Sequence, residues 1–485
     1  MSPAHPTAQP PSLSKGAEVD LCIEKLAFGG KALGRVDGFV VFVDHAVPGQ
    51  RVRVRITRKK SRFAEAEVVQ LLAQSPAYAP PFCPHFGLCG GCQWQDLAYE
   101  EQLHWKKIHV QECLQHLAGL TPGDILPPVA SPQQRYYRNK MEFAFAPRPW
   151  LSAGDPAAAN RAAGGAPALG LHVGAAFDRI FNLEHCFLQS PQSTAIVAEV
   201  RRWCGQSGLA AYNPHTHRGF WRFLVVREGK RTAQTLVHLI TTDHGDPAAV
   251  EALAAHLVAR FPVITSLVHS RRQTKAQVAI GESSRTLWGP GYIEEQLGHL
   301  CLRISANSFL QTNTAAAEGL YNAISRLGEF SGEETVWDLY CGAGSIALHL
   351  ASQVRRVVGF ELVPAAVNDA YTNSRLNGLK NCQFLAGDLK ERLRETLRAG
   401  GQPRPDVVVT DPPRAGMHPQ VVEALREIAP RRIIYVSCNP ATLARDLALL
   451  QDRYDILTIQ PFDLFPHTAH IECVARLDRR QPLPA

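Results

Sequence analysis

The sequence predicts an α/β protein: a C-terminal doubly wound domain, preceded by a central α+β domain and a small N-terminal β-barrel. Three observations predict it. From about Cys301 onward, short apolar strands alternate with helix-like runs, the pattern of parallel strands joined by crossover helices. Residues 220–240 and 263–288 instead alternate apolar and polar side chains, the period of half-buried antiparallel strands. Residues 17–75 hold short strands broken by glycines. A chain of 485 residues exceeds a single core, and three domains follow. The expected divisions are a disordered lead-in 1–16, the barrel 17–75, the central domain 76–300 and the doubly wound domain 301–485. Residues of about 93–126 could pack on the last domain.

Hydrophobic residues make up 45% of the chain, enough for sizeable cores. The net charge of +7 favours an acidic partner such as nucleic acid. Met1 to Lys15 is rich in Pro, Ala and Ser and has no apolar core of a secretory leader. No run approaches the roughly 18 apolar residues of a membrane span. Among the 12 cysteines, Cys341, Cys382, Cys438 and Cys473 fall in segments that read as core strands and helices. A reducing cytoplasm is expected, where clustered cysteines bind metal more readily than they form disulfides.

In chain order, Val36 to Val43 reads as one strand. Arg51 to Ile56 alternates strictly, with Arg51, Arg53 and Arg55 on one face and Val52, Val54 and Ile56 on the other. The basic run continues through Arg58, Lys59, Lys60 and Arg62. Most charge runs are only solvated faces, but a one-faced basic strand on a small barrel suits a polyanion. Cys83, Cys89 and Cys92 then form C-x5-C-x2-C among glycines and a proline, a loop able to wrap a metal. The fourth ligand must come from elsewhere, and Cys186 suits better than Cys113 or Cys204, which lie in helix-like stretches. Four thiolates serve tetrahedral zinc or an iron–sulfur cluster equally. Trp94 to Leu117 reads as a helix carrying Lys106 and Lys107. Arg135-Tyr136-Tyr137-Arg138-Asn139-Lys140 mixes cations with aromatics, which can hold phosphates and stack bases or simply form a surface strand. Ala153 to Ala168 is an Ala/Gly-rich insertion, expected as a mobile loop.

In the last domain, the strand Thr335–Leu339 runs into Tyr340-Cys341-Gly342-Ala343-Gly344, a glycine loop that allows close approach of a ligand. A second strand ends in Glu361, 19 residues beyond Gly342, where an acid binds ribose hydroxyls. Ala347 stands where a dinucleotide fingerprint has its third glycine, so S-adenosylmethionine fits better than a dinucleotide. Asp388 ends a third strand and could reach the adenine. Asp411-Pro412-Pro413-Arg414 follows a fourth strand, beside the expected methyl donor. Ile433–Val436 ends in Ser437-Cys438-Asn439-Pro440, with a helix-like run from Ala441 to Leu450. Cys438 therefore lies at the carboxyl end of a strand, facing the crevice where α/β sheets bind ligands. From this stretch alone, a reactive thiol and an inert buried one are equally expected.

Asp411-Pro412-Pro413-Arg414, Ser437-Cys438-Asn439-Pro440 and Phe465-Pro466-His467-Thr468-Ala469-His470-Ile471-Glu472 follow the Asp338-to-Gly344 loop in that order. Together they resemble the RNA (uracil-5-)-methyltransferase family, over nearly the whole chain. Ala17 to Gln74, with Gly29-Gly30-Lys31-Ala32-Leu33-Gly34-Arg35, resembles a TRAM domain, an OB-like RNA-binding barrel. The resemblance implies a class I methyltransferase fold for 301–485 and S-adenosyl-L-methionine as methyl donor. In members with this cysteine arrangement the metal is a 4Fe–4S cluster, which implies Cys83, Cys89, Cys92 and Cys186 as ligands. Phe309-Leu310-Gln311-Thr312-Asn313 resembles the family's Phe-Gln-x-Asn segment, with Leu310 where an aromatic is common. By the same match Gln311, Tyr340, Ser345, Glu361, Asp388 and Asp411 are cofactor contacts. Members with both a TRAM domain and the cluster mostly modify large-subunit ribosomal RNA. The expected substrate is 23S rRNA, with tRNA as the alternative; no membrane and no obligate protein partner are implied.

The chemistry explains the residue types. Carbon-5 of uracil is a poor nucleophile until a thiolate adds to carbon-6, which is covalent catalysis by cysteine. Cys438 is the expected nucleophile. A partly desolvated carboxylate must later remove the carbon-5 proton, and Glu472 in an apolar strand-like run fits; an arginine ion pair is the ordinary alternative. Cys341 reads as loop structure, and Cys473 as pointing to the opposite strand face from Glu472. Two other functions compete. An amino-methyltransferase would place an aromatic where Arg414 stands. A non-catalytic RNA-binding or redox-sensing protein leaves Glu361, Asp411, Cys438 and Glu472 at one sheet unexplained.

Overall fold

The C-terminal part of the chain is built on one eight-stranded sheet, seen in a computed structural model that describes residues 13–120, 124–151, 166–174 and 176–481. Its strands lie in the order Cys382–Ala386, Arg356–Glu361, Thr335–Leu339, Val407–Thr410, Arg432–Ser437, Glu472–Arg479, Tyr454–Phe462 and Asp124–Ile125. The first five are mutually parallel. Glu472–Arg479 runs antiparallel to both of its neighbours. The strand order reverses between Thr335–Leu339 and Val407–Thr410, and such a switch point opens a crevice at the carboxyl edge.

Alternation along each strand feeds two apolar layers. Val336, Val409, Ile434, Val436 and Val474 face one layer with helix Thr314–Gly328. Trp337, Val408, Ile433, Tyr435 and Cys473 face the other with helices Pro419–Ile428 and Pro440–Leu450. Burying each such side chain contributes about 1.5–3 kcal/mol. Both faces are covered by helices, which explains why the strands read as continuous apolar runs.

The N-terminal barrel has six strands, with Arg51–Lys59 between Glu18–Cys22 and Phe63–Ala73. Val36 to Val43 is not one strand. Ala32–Val36 and Phe39–Asp44 form a hairpin, because Asp37 (φ 51°) and Gly38 (φ 82°) take the left-handed conformations of a tight turn. Most of the lead-in 1–16 lies outside the described residues. Its end is ordered: Leu13 is buried in the barrel core, and the Gly16 amide donates to the Ile56 carbonyl at 2.8 Å.

Val52, Val54 and Ile56 do point into the barrel, leaving the arginines outside. Those arginines meet acids from neighbouring strands: Arg53 pairs with Asp20 at 2.7 Å, and Arg55 with Glu18 at 2.9 Å. The local sequence holds no acid, but strand pairing supplies them, so the positive face is weaker than its composition.

The central domain is a seven-stranded sheet containing Lys140–Ala146, Trp221–Glu228, Thr235–Thr241 and Ile264–Arg271. It is not wholly antiparallel. Helix Pro247–Arg260 crosses over, so Thr235–Thr241 and Ile264–Arg271 pair in parallel. The Ala153–Ala168 insertion falls mostly outside the described residues, and Ala168 itself opens a buried strand.

The helix expected from Trp94 begins at Tyr99 and runs to Glu112, continuing as a π turn over Cys113–Leu117. Residues 94–97 are diverted because Trp94 and Leu97 enter the barrel core and the Asp96 carbonyl accepts from the Ala79 amide at 3.0 Å. This segment packs on the C-terminal sheet. Lys106 is wholly buried, with its Nζ 2.5 Å from Asp463 Oδ1. The Tyr99 hydroxyl donates to the other Asp463 oxygen at 2.9 Å. Removing one partner of such a pair strands the other charge in a dry interior. Lys106→Met should therefore lower stability by about 3–5 kcal/mol, and Lys106→Met with Asp463→Leu should recover much of it, as read by urea unfolding.

Candidate active site

The carboxyl edge of the sheet gathers the site. After the Thr335–Leu339 strand the chain turns sharply: Tyr340 (φ 64°), Gly342 (φ 55°) and Gly344 (φ 82°) are left-handed. At Gly344 a side chain would meet Ala370 Cβ at 3.0 Å and the Phe384 ring at 3.1 Å, so only glycine lets the helix Ser345–Ala351 start there. A positive φ at Tyr340 is uncommon and marks a loop held by its surroundings. Glu361 holds it: one carboxylate oxygen accepts from the Gly342 amide at 3.0 Å and the other from the Val363 amide at 2.8 Å. Asp338, buried beneath, accepts from the Ala347 amide at 3.0 Å.

Across the switch point, Asp411 follows its strand, and Gln311 Nε2 donates to its Oδ2 at 3.4 Å. Burial pushes the Asp411 carboxyl up, and burial with the Asp411 charge pushes Asp338 up. The Ser345 and Tyr321 hydroxyls are 2.8 Å apart. Asp388 sits at the next strand end, where it caps helix Leu389–Ala399 and pairs with Lys390 at 2.9 Å. Its charge reaches Tyr340, whose phenol is raised to about 12 chiefly by burial. Gln311, Tyr340, Ser345, Glu361, Asp388 and Asp411 thus line one edge from four strand ends and the Gln311 loop.

Cys438 follows the Arg432–Ser437 strand and is half-buried. Asn439 fixes the turn: its side chain caps helix Pro440–Leu450 and its Nδ2 donates to the Arg414 carbonyl at 3.0 Å. Glu472 arrives from the other direction. Because its strand is antiparallel, Cys473 pairs with Ser437, and Glu472 is carried one step further to the Cys438 end. Glu472 is 2% exposed. Burial pushes its carboxyl far up, Asp411 adds to this, and Arg414 opposes it. The Cys438 thiol is raised to about 11 by burial, then by Glu472 and Asp411, again opposed by Arg414. Cys473 is fully buried on the opposite sheet face, and Cys341 is buried under the glycine loop. Cys438 is the thiol that reaches the crevice.

Sequence reasoning gave no role to the cation here. Arg414 Nη2 lies 3.4 Å from His470 Nδ1, and burial followed by Arg414 lowers His470 to about 4. Arg414 was visible only as the last residue of a motif; its electrostatic reach onto Cys438 and Glu472 depends on the fold.

Cys83, Cys89, Cys92 and Cys186 line one pocket with His85, Phe86 and Gln95. All four are free thiols, and burial raises Cys89 and Cys92 to about 12. Cys113 is buried in the C-terminal domain's core, and Cys204 lies in the central-domain core that also holds Cys92, but neither lines this pocket. Among the described residues no group of three or more His, Cys, Asp or Glu converges as a site for a single metal ion. In the Arg135–Lys140 stretch, the Arg135 guanidinium stacks on Phe82 at 3.9 Å and the Tyr137 hydroxyl donates to the Pro466 carbonyl at 3.1 Å. That tyrosine is structural and not a base-stacking platform.

A family model described as tRNA (uracil-5-)-methyltransferase matches residues 279–480, and a TRAM domain model matches 13–69. An RNA methyltransferase of Nitratidesulfovibrio vulgaris is 43% identical over 97% of this chain and 98% of its own length. One from Chlorobaculum tepidum is 39% identical over 96% and 97%. The chain belongs to the RNA (uracil-5-)-methyltransferase family. A solved relative, the Pyrococcus abyssi tRNA (uracil-54, C5)-methyltransferase in complex with S-adenosyl-L-homocysteine, is 28% identical with a TM-score of 0.71. The match covers 94% of this chain and 99% of that one. As a family member the protein is an S-adenosylmethionine-dependent RNA methyltransferase with an N-terminal TRAM domain. The amino-methyltransferase and non-catalytic sensor alternatives fall away. No helix among the described residues is long and apolar enough to cross a membrane.

The buried carboxylate has a measurable cost in this methyltransferase. A folded carboxyl raised above its unfolded value contributes stability below the unfolded value, about pH 4.3, and loses it as pH rises through the folded value. Glu472→Gln keeps the size and removes the charge. Its Tm should exceed wild type at pH 8, by roughly 2–4 °C for each kcal/mol recovered. The gap should close as pH falls towards 5, as followed by calorimetry.

Proposed function

We propose that the protein transfers a methyl group from S-adenosyl-L-methionine to carbon-5 of a uridine in RNA through a covalent Cys438–uracil adduct resolved by Glu472. The observation that carries this reading is the meeting of a half-buried thiol and a buried carboxyl at one corner of the sheet, with Asp411 and Arg414 in the same field. The uridine must first leave its stack, since neither group can reach a paired base. Cys438 Sγ loses its proton and bonds to carbon-6, and the electron pair of the carbon-5–carbon-6 bond moves towards oxygen-4. Arg414 favours both the thiolate and this negative charge. When bound at the switch point, S-adenosylmethionine supplies an electrophilic methyl to carbon-5. Gln311, Tyr340, Ser345, Glu361, Asp388 and Asp411 are assigned to hold it. Glu472 then takes the carbon-5 proton, the double bond re-forms and Sγ departs. A raised carboxyl suits this task, because its basicity lies nearer the working pH.

Ribosomal RNA, 23S in particular, is the favoured substrate, because the TRAM domain occurs here with a cysteine pocket. Transfer RNA is the second reading, favoured by the Pyrococcus relative, which acts on tRNA. Mapping 5-methyluridine in both RNAs with the gene present and absent separates them. Cys438→Ala should bind RNA and S-adenosylmethionine, form no covalent complex and transfer no methyl. Glu472→Gln should transfer one methyl and stall, leaving RNA attached to Cys438 in a complex that survives denaturing electrophoresis and carries the methyl label. Normal multiple turnover by Glu472→Gln would remove it as the base.

The reading also assigns Cys83, Cys89, Cys92 and Cys186 to a 4Fe–4S cluster, consistent with a reducing cytoplasm. Their fit rests on four unpaired thiols lining one pocket, where buried sulfurs ionise only beside a strong cation. When bound, such a cluster joins the 83–92 loop to Cys186 and can carry one electron. Protein purified without oxygen should be brown, with equal iron and sulfide, and Cys186→Ser should lose iron as fully as Cys89→Ser. Stoichiometric zinc without iron would overturn this assignment.

A further inference from the structure

The loop from Asp463 to Ile471 leads directly into Glu472, yet its main-chain partners come largely from a distant part of the chain. His467 is its centre, with a left-handed backbone (φ 66°) that a side chain rarely adopts. The His467 amide donates to Gln102 Oε1 at 2.8 Å, and Gln102 Nε2 lies 3.2 Å from the His467 ring Nδ1. The His467 carbonyl accepts from the Gln93 and Trp94 amides at 2.9 and 3.0 Å. Two residues on, the Ala469 amide donates to Gln93 Oε1 at 3.1 Å. Gln93 is the residue after Cys92, so the pocket wall and this clasp are one piece of backbone. Gln102 is wholly buried, and its Nε2 also donates to the Trp94 and Leu97 carbonyls at 2.9 and 2.8 Å. The two glutamines brace the strained residue from both sides.

We propose that Gln93 and Gln102 are positioning residues for the last chemical step: they hold His467 left-handed and thereby fix where Glu472 stands. This rests on the reading of Glu472 as the base. Cys438 is placed by its own strand and by Asn439, whose side chain bonds the Arg414 carbonyl and the Ala441 amide. The cofactor edge is built from the other strand ends and from the Gln311 loop, which meets this segment at the Leu464 carbonyl, ahead of the His467 clasp. Only Glu472 hangs from the end of the clasped segment, and a displacement of about 1 Å suffices to cost a hundredfold in a positioned reaction.

The test uses full-length protein, methyl-labelled S-adenosylmethionine and RNA from cells lacking the gene. Gln93→Ala and Gln102→Ala should lower multiple turnover about tenfold or more, the effect of one lost hydrogen bond upward. Both should accumulate the labelled covalent RNA complex while first-turnover methyl transfer and S-adenosylmethionine affinity stay at wild-type values. Gln93→Glu keeps an acceptor for Ala469 and should restore turnover. Gln93 is only half-buried, so its pair of variants remains informative if Gln102→Ala does not fold. A loss of first-turnover transfer equal to the loss of turnover, with no trapped complex, would overturn the proposal in favour of a general structural role. Glu472→Gln run alongside separates the two ideas. If it stalls and the glutamine variants do not, the positioning role fails alone; if it turns over normally, the base assignment fails.

Discussion

One strand running the wrong way makes the site possible. In a parallel sheet every strand delivers its carboxyl end to the functional edge, so each contributes only the residue at which it stops. The antiparallel Glu472–Arg479 strand delivers its first residue there instead. Pairing of Cys473 with Ser437 then leaves no freedom: a shift of one residue would turn Glu472 to the other face and bring Cys473 to the edge. The thiol and the carboxyl meet because two strands of opposite sense share a register.

That meeting is electrostatically expensive. Asp338 and Glu472 are buried carboxyls and Asp411 a half-buried one, and desolvation pushes each of them up. Arg414 is the cation that opposes this at Glu472 and Cys438. The cost is carried by large apolar layers on both sheet faces. Perturbed groups in a cleft are the usual mark of acid–base chemistry, and stability is given up to keep them so.

The three parts of the chain are not independent beads. Ala469, from the loop before Glu472, lies in the barrel's apolar core beside Trp94 and Leu97. Asn139 of the central domain donates to the Gln311 carbonyl at 2.9 Å, and Arg227 bonds the Ser308 carbonyl in the same loop. Asn313 then ties that loop to the Leu464 carbonyl at 3.0 Å. The loop that carries Gln311 and the loop that leads to Glu472 are therefore braced against one another by residues far away in sequence. A TRAM barrel whose core reaches the loop before Glu472 is coupled to that loop by packing.

The sequence by itself determined the doubly wound order of elements, the strand ends at Glu361, Asp411 and Cys438, and the inward face of the barrel strand. Those are local quantities: apolar period, chain breakers and short motifs act within a few residues, and the physics that reads them is equally local. It misread Val36–Val43, because a two-residue Asp-Gly turn inside an apolar run leaves the period almost unchanged. It gave Lys106 no partner and the barrel arginines no acids, because their partners are hundreds of residues away or on the next strand. Charge is long-ranged and burial is collective, so neither can be summed along the chain. Only the tertiary structure decided that Asp463 lies against Lys106, that Arg414 faces both Cys438 and Glu472, and that His467 is held by Gln93 and Gln102.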